Sequence, residues 1–203
     1  MLNKKDLKCL GEFIPSKYPK KELNYACVGR GGIFATDGAK AIMFHDKDMS
    51  FDDILVHKKL LKGFESLLGK DDLVKFVDVG GESFFSFDNT CLRLDTAGFE
   101  YVYPNSDDIL NKVSIGGHFK LSSLSDILFE LTSRFCFIDS AHLKPLLAHS
   151  GGDWYDVFYS PMGKDEVSMV NIVATVIRGE EEVVLYTALI MGADFKSKAT
   201  NER

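Results

Sequence analysis

The spacing of apolar positions changes several times along this chain, and each change predicts an element. From 4 to 13 the apolar residues are Leu7, Leu10 and Phe13, with Lys4, Lys5 and Lys8 on another side, as in a short amphipathic helix. Pro15 and Pro19 end it. Residues 23–28 and 33–44 read as strands, the second folded back at Thr36-Asp37-Gly38. Asp-Gly between two apolar runs is a strong hairpin signal, because glycine takes positive φ without steric cost. A second helix is predicted over 57–68, with Leu60, Leu61, Phe64, Leu67 and Leu68 as its apolar stripe. Lys58, Lys59 and Lys62 lie off that stripe, and Gly69 supplies the stop.

Short strands follow over 73–79, 83–87 and 90–95, punctuated by Gly80-Gly81 and Asp88-Asn89. The stretch 99–110, with Tyr-Pro-Asn-Ser-Asp-Asp inside it, reads as a loop and carries the expected domain boundary. On that reading 1–111 form one domain, 112–195 a second and shorter unit, and 196–203 a polar, disordered tail. The run 118–137 reads as further strand, while Leu124, Ile127, Leu128 and Leu131 have helical spacing over 123–133; both readings stand. A third helix is predicted over 140–149 on Leu143, Leu146 and Leu147, short or late in starting because Pro145 falls inside it. Strands over 154–159, 168–177 and 182–191 complete an α+β pattern, mostly antiparallel with a few short helices.

Composition narrows the classes. At 203 residues, 45% hydrophobic and 27% charged, the chain has the make-up of a globular protein of one large or two small domains. It has no apolar run long enough to span a bilayer, and its first residues turn polar at once, so a cytoplasmic protein without a signal peptide or membrane partner is expected. Cys9, Cys27, Cys91 and Cys136 show no C-x-x-C spacing and read as small buried thiols rather than disulfides or metal ligands. The histidines show no paired ligand spacing either, so neither metal nor cofactor is expected. Net charge is −6, unevenly spread: residues 1–75 carry 14 Lys/Arg against 11 Asp/Glu, and the remainder 10 against 19. A broadly basic nucleic-acid binder is excluded, whereas a ring with a local positive lining is not.

Several segments, in order, resemble those of the DNA sliding clamps, the processivity rings typified by the beta subunit of DNA polymerase III. Ala35-Thr36-Asp37-Gly38, a basic residue at Lys40 and further apolar residues are similar to a clamp hairpin. The stretch from Gly69 to Phe76 resembles the clamp's helix-to-strand step, and Cys91-Leu92-Arg93-Leu94-Asp95 with Phe99 to Pro104 resembles its late strand and interdomain segment. Phe137 to Leu147 is similar to a clamp domain's second helix with its entering strand, and Val183 to Met191 to a closing strand. The chain departs from the pattern in its shorter second unit, which has no visible copy of the first helix or of the Ala-Thr-Asp-Gly hairpin, and in Gly192-Ala193-Asp194, which replaces the Pro-Met-Arg-like ending common in bacterial clamps. The resemblance implies antiparallel sheets outside, helices toward a central hole, and no catalysis. It implies double-stranded DNA held without sequence preference, polymerase or other DNA-metabolism partners, and a homotrimer if two units per chain make a six-unit ring.

On that resemblance Lys4, Lys5, Lys8, Lys58, Lys59 and Lys62 would line the hole and meet phosphates through water. On the simpler reading they are a solvated helix face. Trp154, Tyr155, Phe158 and Tyr159 form an aromatic cluster that serves either as a partner-docking surface or as core. Asp37 reads as a turn former, and Gly29-Arg30-Gly31-Gly32 as a turn without the lysine of a P-loop. His149-Ser150-Gly151-Gly152-Asp153 lacks a nucleophile elbow, and Asp107-Asp108 and Glu180-Glu181-Glu182 sit in turns. No catalytic constellation emerges. The alternative to a clamp is a small protein–protein interaction or regulatory module on the same fold.

Overall fold

The computed structural model describes residues 1–15, 21–29, 31–49, 53–88, 90–94, 103–110, 116–149, 151–160 and 168–192. The chain divides into two compact units, Met1–Ser106 and Asp107–Arg203. The expected tail at 196–203 lies outside the described residues.

Unit 1 opens with β1 (Leu2–Asn3) and α1 (Lys4–Glu12). Helix α1 starts where it does because Asn3 and Asp6 form a capping box. The Asn3 side chain accepts from the Lys5 and Asp6 amides at 2.8 and 3.1 Å, and the Asp6 carboxylate accepts from the Asn3 amide at 2.7 Å. After a 3-10 turn at Lys21–Asn24 come β2 (Tyr25–Gly29), β3 (Gly32–Thr36), β4 (Lys40–His45) and β5 (Ile54–His57), in the order β5-β2-β3-β4. Helix α2 (Lys58–Leu67) leads into β6 (Leu73–Val79), β7 (Glu82–Phe87) and β8 (Thr90–Arg93), which form an antiparallel sheet ordered β1-β6-β7-β8. The inward side of that sheet carries Val74, Phe76 and Phe85, and Phe64 of α2 stacks on Phe85 with ring centres 3.9 Å apart.

The β3–β4 hairpin forms as expected, and its turn is wired through side chains. Asp37 accepts from the amides of Ala39 and Lys40, both at 2.9 Å, and Thr36 donates its hydroxyl to the Lys40 carbonyl at 2.9 Å. Gly38 sits at φ +89°. Asp37 is thereby a turn former.

The stretch expected to be loop before residue 110 contains a short helix, α3 (Ser106–Leu110), with Asp107 and Asp108 in its first turn. Unit 2 continues with β9 (Gly117–Leu121), a 3-10 turn at Leu124–Asp126, α4 (Ile127–Ser133) and α5 (Ser140–His149). The strand expected through 137 therefore ends at Leu121, and the helical spacing wins. Pro145 neither shortens nor delays α5, which runs its full ten residues. The ring's fixed φ suits the helix, and the missing N–H removes one bond without breaking the rest. Strands β10 (Trp154–Ser160), β11 (Met169–Arg178) and β12 (Glu181–Met191) pair antiparallel, ordered β12-β11-β10-β9. Tyr155, Val157, Ile172, Ala174, Tyr186 and Ala188 form their buried face.

Cys91 corrects the expectation of four buried thiols. It lies on the edge strand β8, opposite Ser86, and is exposed. Cys9 and Cys136 are buried and Cys27 half-buried. Burial, reinforced by Asp6 beside Cys9 and Asp53 beside Cys27, pushes both of those thiols up to about 12, so they stay protonated and unreactive.

Candidate nucleic-acid interface

Helices α1 and α2 pack side by side in unit 1. Their direction follows from two long side chains. The Lys4 ammonium, at the start of α1, donates to the Leu68 carbonyl at the end of α2 at 2.7 Å. The Lys58 ammonium, at the start of α2, donates to the Ile14 carbonyl just past the end of α1. The pair is antiparallel, and each helix supplies a cation to the negative end of the other. Burial, and then the charge of Lys62, lowers the pKa of Lys58.

Between the helices runs an open groove of about 410 Å³, bordered by Lys4, Lys8 and Glu12 on α1 and by Lys62, Glu65 and Ser66 on α2. Lys5, Lys8, Lys59 and Lys62 are exposed. The six predicted lysines thus separate into two kinds: Lys4 and Lys58 bind backbone carbonyls across the pair, and the other four face water. Glu12 and Glu65 were absent from the sequence-based site, although Glu12 follows Lys8 by four residues and Glu65 follows Lys62 by three. They place negative charge in the groove beside Lys8 and Lys62 and moderate its positive potential.

His57 caps α2, its Nδ1 accepting from the Lys59 amide at 3.1 Å. Burial and the adjacent Lys59 charge lower its pKa below the ordinary 6.5. The folded chain therefore prefers neutral His57, and stability present above about 6.5 declines as the pH falls toward the folded-state value. Replacing His57 with asparagine keeps an N-cap acceptor that does not titrate. The variant is expected to show a shallower loss of melting temperature between about pH 7.5 and 5. A loss as steep as the parent's would show that His57 does not carry it.

The aromatic cluster of β10 divides across the sheet. Tyr155 is core, its hydroxyl accepting from the Gly152 amide at 2.9 Å, and half-buried Tyr159 shares that side. Trp154 and Phe158 alternate to the other side, half-buried, with Lys120 over the Trp154 ring and His118 stacked on Phe158. His118 also meets Asp156 at 3.0 Å. Only Trp154 and Phe158 are brought to one surface. Among the described residues no group of three or more His, Cys, Asp or Glu side chains has a metal-binding arrangement. Among those residues, too, no helix is long and apolar enough to cross a membrane.

Antiparallel sheets with a few short helices make up an α+β architecture. The chain has the sliding-clamp fold, with a divergent sequence. It is similar to the crystal structure of the DNA polymerase III beta chain from Streptococcus pneumoniae TIGR4, at 12% identity and TM-score 0.56 over 95% of this chain and 63% of that one. The beta subunit from DNA polymerase of Streptococcus pyogenes gives 12% and 0.57 over 95% and 64%. The DNA polymerase III subunit beta of Borrelia burgdorferi, solved with a natural product, gives 12% and 0.56 over 96% and 63%. The chain thus spans just under two thirds of the length of these proteins. No family model and no curated protein sequence matches it.

Proposed function

We propose that this chain is a non-catalytic, sliding-clamp-like accessory factor of DNA metabolism that encircles duplex DNA as an oligomer. The reading divides the chain into clamp-like units at 1–111 and 112–195, which makes a homotrimer the six-unit ring. Exposed Lys5, Lys8, Lys59 and Lys62 face the phosphates, while Lys4 and Lys58 keep the helices in place. A polymerase or another DNA-metabolism protein is the partner held to the DNA, and Trp154 and Phe158 are the candidate docking residues. The observation that carries the reading is the clamp fold with an antiparallel helix pair whose outward cations are all lysines. Lysine is a point charge without the planar fork of arginine, and interactions of that kind suit movement along DNA.

Retention on circular duplex DNA, abolished when the circle is cut, is the expected result. Changing Lys5, Lys8, Lys59 and Lys62 to alanine should weaken retention and reduce its salt slope by up to about 0.9 for each phosphate no longer neutralised. Equal retention on linear and circular DNA, or none on either, would overturn encirclement. A net charge of −6 and the half-buried Trp154 and Phe158 favour the second reading, a protein-interaction module that does not encircle DNA. The absence of retention, with a partner protein still bound, is its expected signature.

A further inference from the structure

Phe135 is the most unusual residue of unit 2. Helix α4 ends in a Schellman motif: the Phe135 amide donates to the Thr132 carbonyl at 3.1 Å and the Cys136 amide to the Leu131 carbonyl at 3.0 Å. This places Phe135 at the position that glycine ordinarily fills, at φ +56°. A bulky side chain is disfavoured there, and Phe135 is 75% exposed, so neither local conformation nor burial accounts for a phenyl ring. It is not alone. Phe129, on the side of α4 opposite buried Ile127 and Leu131, is also 75% exposed, and Phe137, beyond buried Cys136, is exposed as well. Six residues of helix rise about 9 Å, so a single segment of a partner is long enough to reach from Phe129 to Phe135.

The number of layers explains why these rings lie bare. In unit 1 the helices meet two sheets: Phe64 of α2 stacks on Phe85 of β7, and Phe13, at the end of α1, lies beneath Lys40 of β4. Among the described residues the strands of unit 2, β9 to β12, belong to one sheet, so its helices have one layer fewer beside them. The charge around the rings is negative. From Leu124 to Asp139 the chain carries Asp126, Glu130 and Asp139 against one cation, Arg134, which is paired with Glu130 and lies over Phe119. Lys144 lies further along, on α5. Unit 2 as a whole, residues 107–203, holds 9 Lys/Arg against 14 Asp/Glu, which repels a polyanion.

We propose that the Phe129–Phe137 end of α4 docks a segment of another protein, one that carries apolar residues flanked by lysine or arginine. Its apolar side chains cover the phenyl rings, and its cations meet exposed Asp126 and Asp139. This surface is separate from Trp154 and Phe158, which lie on β10. The contact does not depend on DNA being encircled.

The test uses the full chain, without DNA, and two labelled synthetic amphipathic helices: one of leucine and lysine, the other with glutamate in place of lysine. Fluorescence anisotropy up to roughly 100 µM chain reads binding. The leucine–lysine helix is expected to bind, and the leucine–glutamate helix at least about tenfold more weakly. Phe135→Gly suits the local backbone, so it should melt no lower than the parent while its dissociation constant for the first helix rises at least about tenfold. Asp139 caps α5 by accepting from the Ala141 amide, a bond that asparagine keeps. Asp126→Asn with Asp139→Asn should therefore leave melting unchanged and weaken binding about fivefold. No binding, equal binding of the two helices, or a Phe135→Gly variant that binds like the parent would overturn the proposal. Sedimentation of the chain alone covers the other occupant. Self-association that Phe135→Gly abolishes would give the surface to a second copy and overturn the proposal too. Loss of retention on circular DNA, with the leucine–lysine helix still bound at Phe135, would sink encirclement and leave the docking surface standing.

Discussion

Replacing Phe85 with alanine is expected to cost about 3–5 kcal/mol, the range for deleting a fully buried aromatic side chain. Phe85 has no exposed surface and sits at the centre of a ring cluster. Phe64 of α2 stacks on it at 3.9 Å, and Phe76 and Phe87 meet it edge-on at 5.4 and 5.7 Å. The loss combines the transfer free energy of the ring with the cavity left under α2. Phe85→Leu, which keeps most of the volume, should cost much less. Urea denaturation reads both, with a shift in midpoint at constant slope. Equal losses for the two variants would show that a larger rearrangement, rather than a cavity, sets the cost. Since α2 carries Lys59 and Lys62, the alanine variant should also weaken any retention on DNA, although no cation has been touched.

Gly32→Ala should cost about 4 kcal/mol or more, at the top of the range for single substitutions. A Cβ at Gly32 would stand 2.0 Å from the Phe44 carbonyl oxygen and 3.0 Å from its carbon, both in the backbone of the paired strand β4. No side-chain rotation relieves such a clash, so one of the two strands must move. Gly63 in α2 is the internal control, because a Cβ there meets nothing within 4 Å. Gly63→Ala should therefore gain roughly 0.5–1 kcal/mol from helix propensity and reduced unfolded-chain entropy. A mild effect at Gly32 would mean that β3 and β4 tolerate a wider separation than their register implies.

Elements that declare themselves through periodicity were legible in the chain. Helices α1 and α2 carry apolar stripes broken by lysines, and the hairpin carries Thr36-Asp37-Gly38, whose side chains make the turn bonds locally. Helix α3 was not legible, because Asn105-Ser106-Asp107-Asp108 after a proline has the composition of a loop. Ser106, Asp107 and Asp108 are also residues that favour a helix N-terminus. Cys91 was misjudged because its apolar neighbours in sequence say nothing about which strand lies at a sheet edge.

The candidate site was legible in residue type but not in role. That Lys4 and Lys58 differ from the other four lysines depends on carbonyls 64 and 44 residues away, which no local pattern encodes. The division of Trp154 and Phe158 from Tyr155 and Tyr159 does follow from strand alternation. Which side is core depends on the helices that cover it. The left-handed backbone of Phe135 had no signal at all, since glycine is the residue that announces such a position.

The crossed lysines of the helix pair have one more consequence. Each helix is fastened at its far end by a cation rooted in the first turn of its neighbour. Unwinding the start of α1 frees the end of α2, and unwinding the start of α2 frees the end of α1. Fraying, which ordinarily begins at one exposed terminus and stays there, is shared between the two helices. The face that carries the outward lysines is held or lost as a whole.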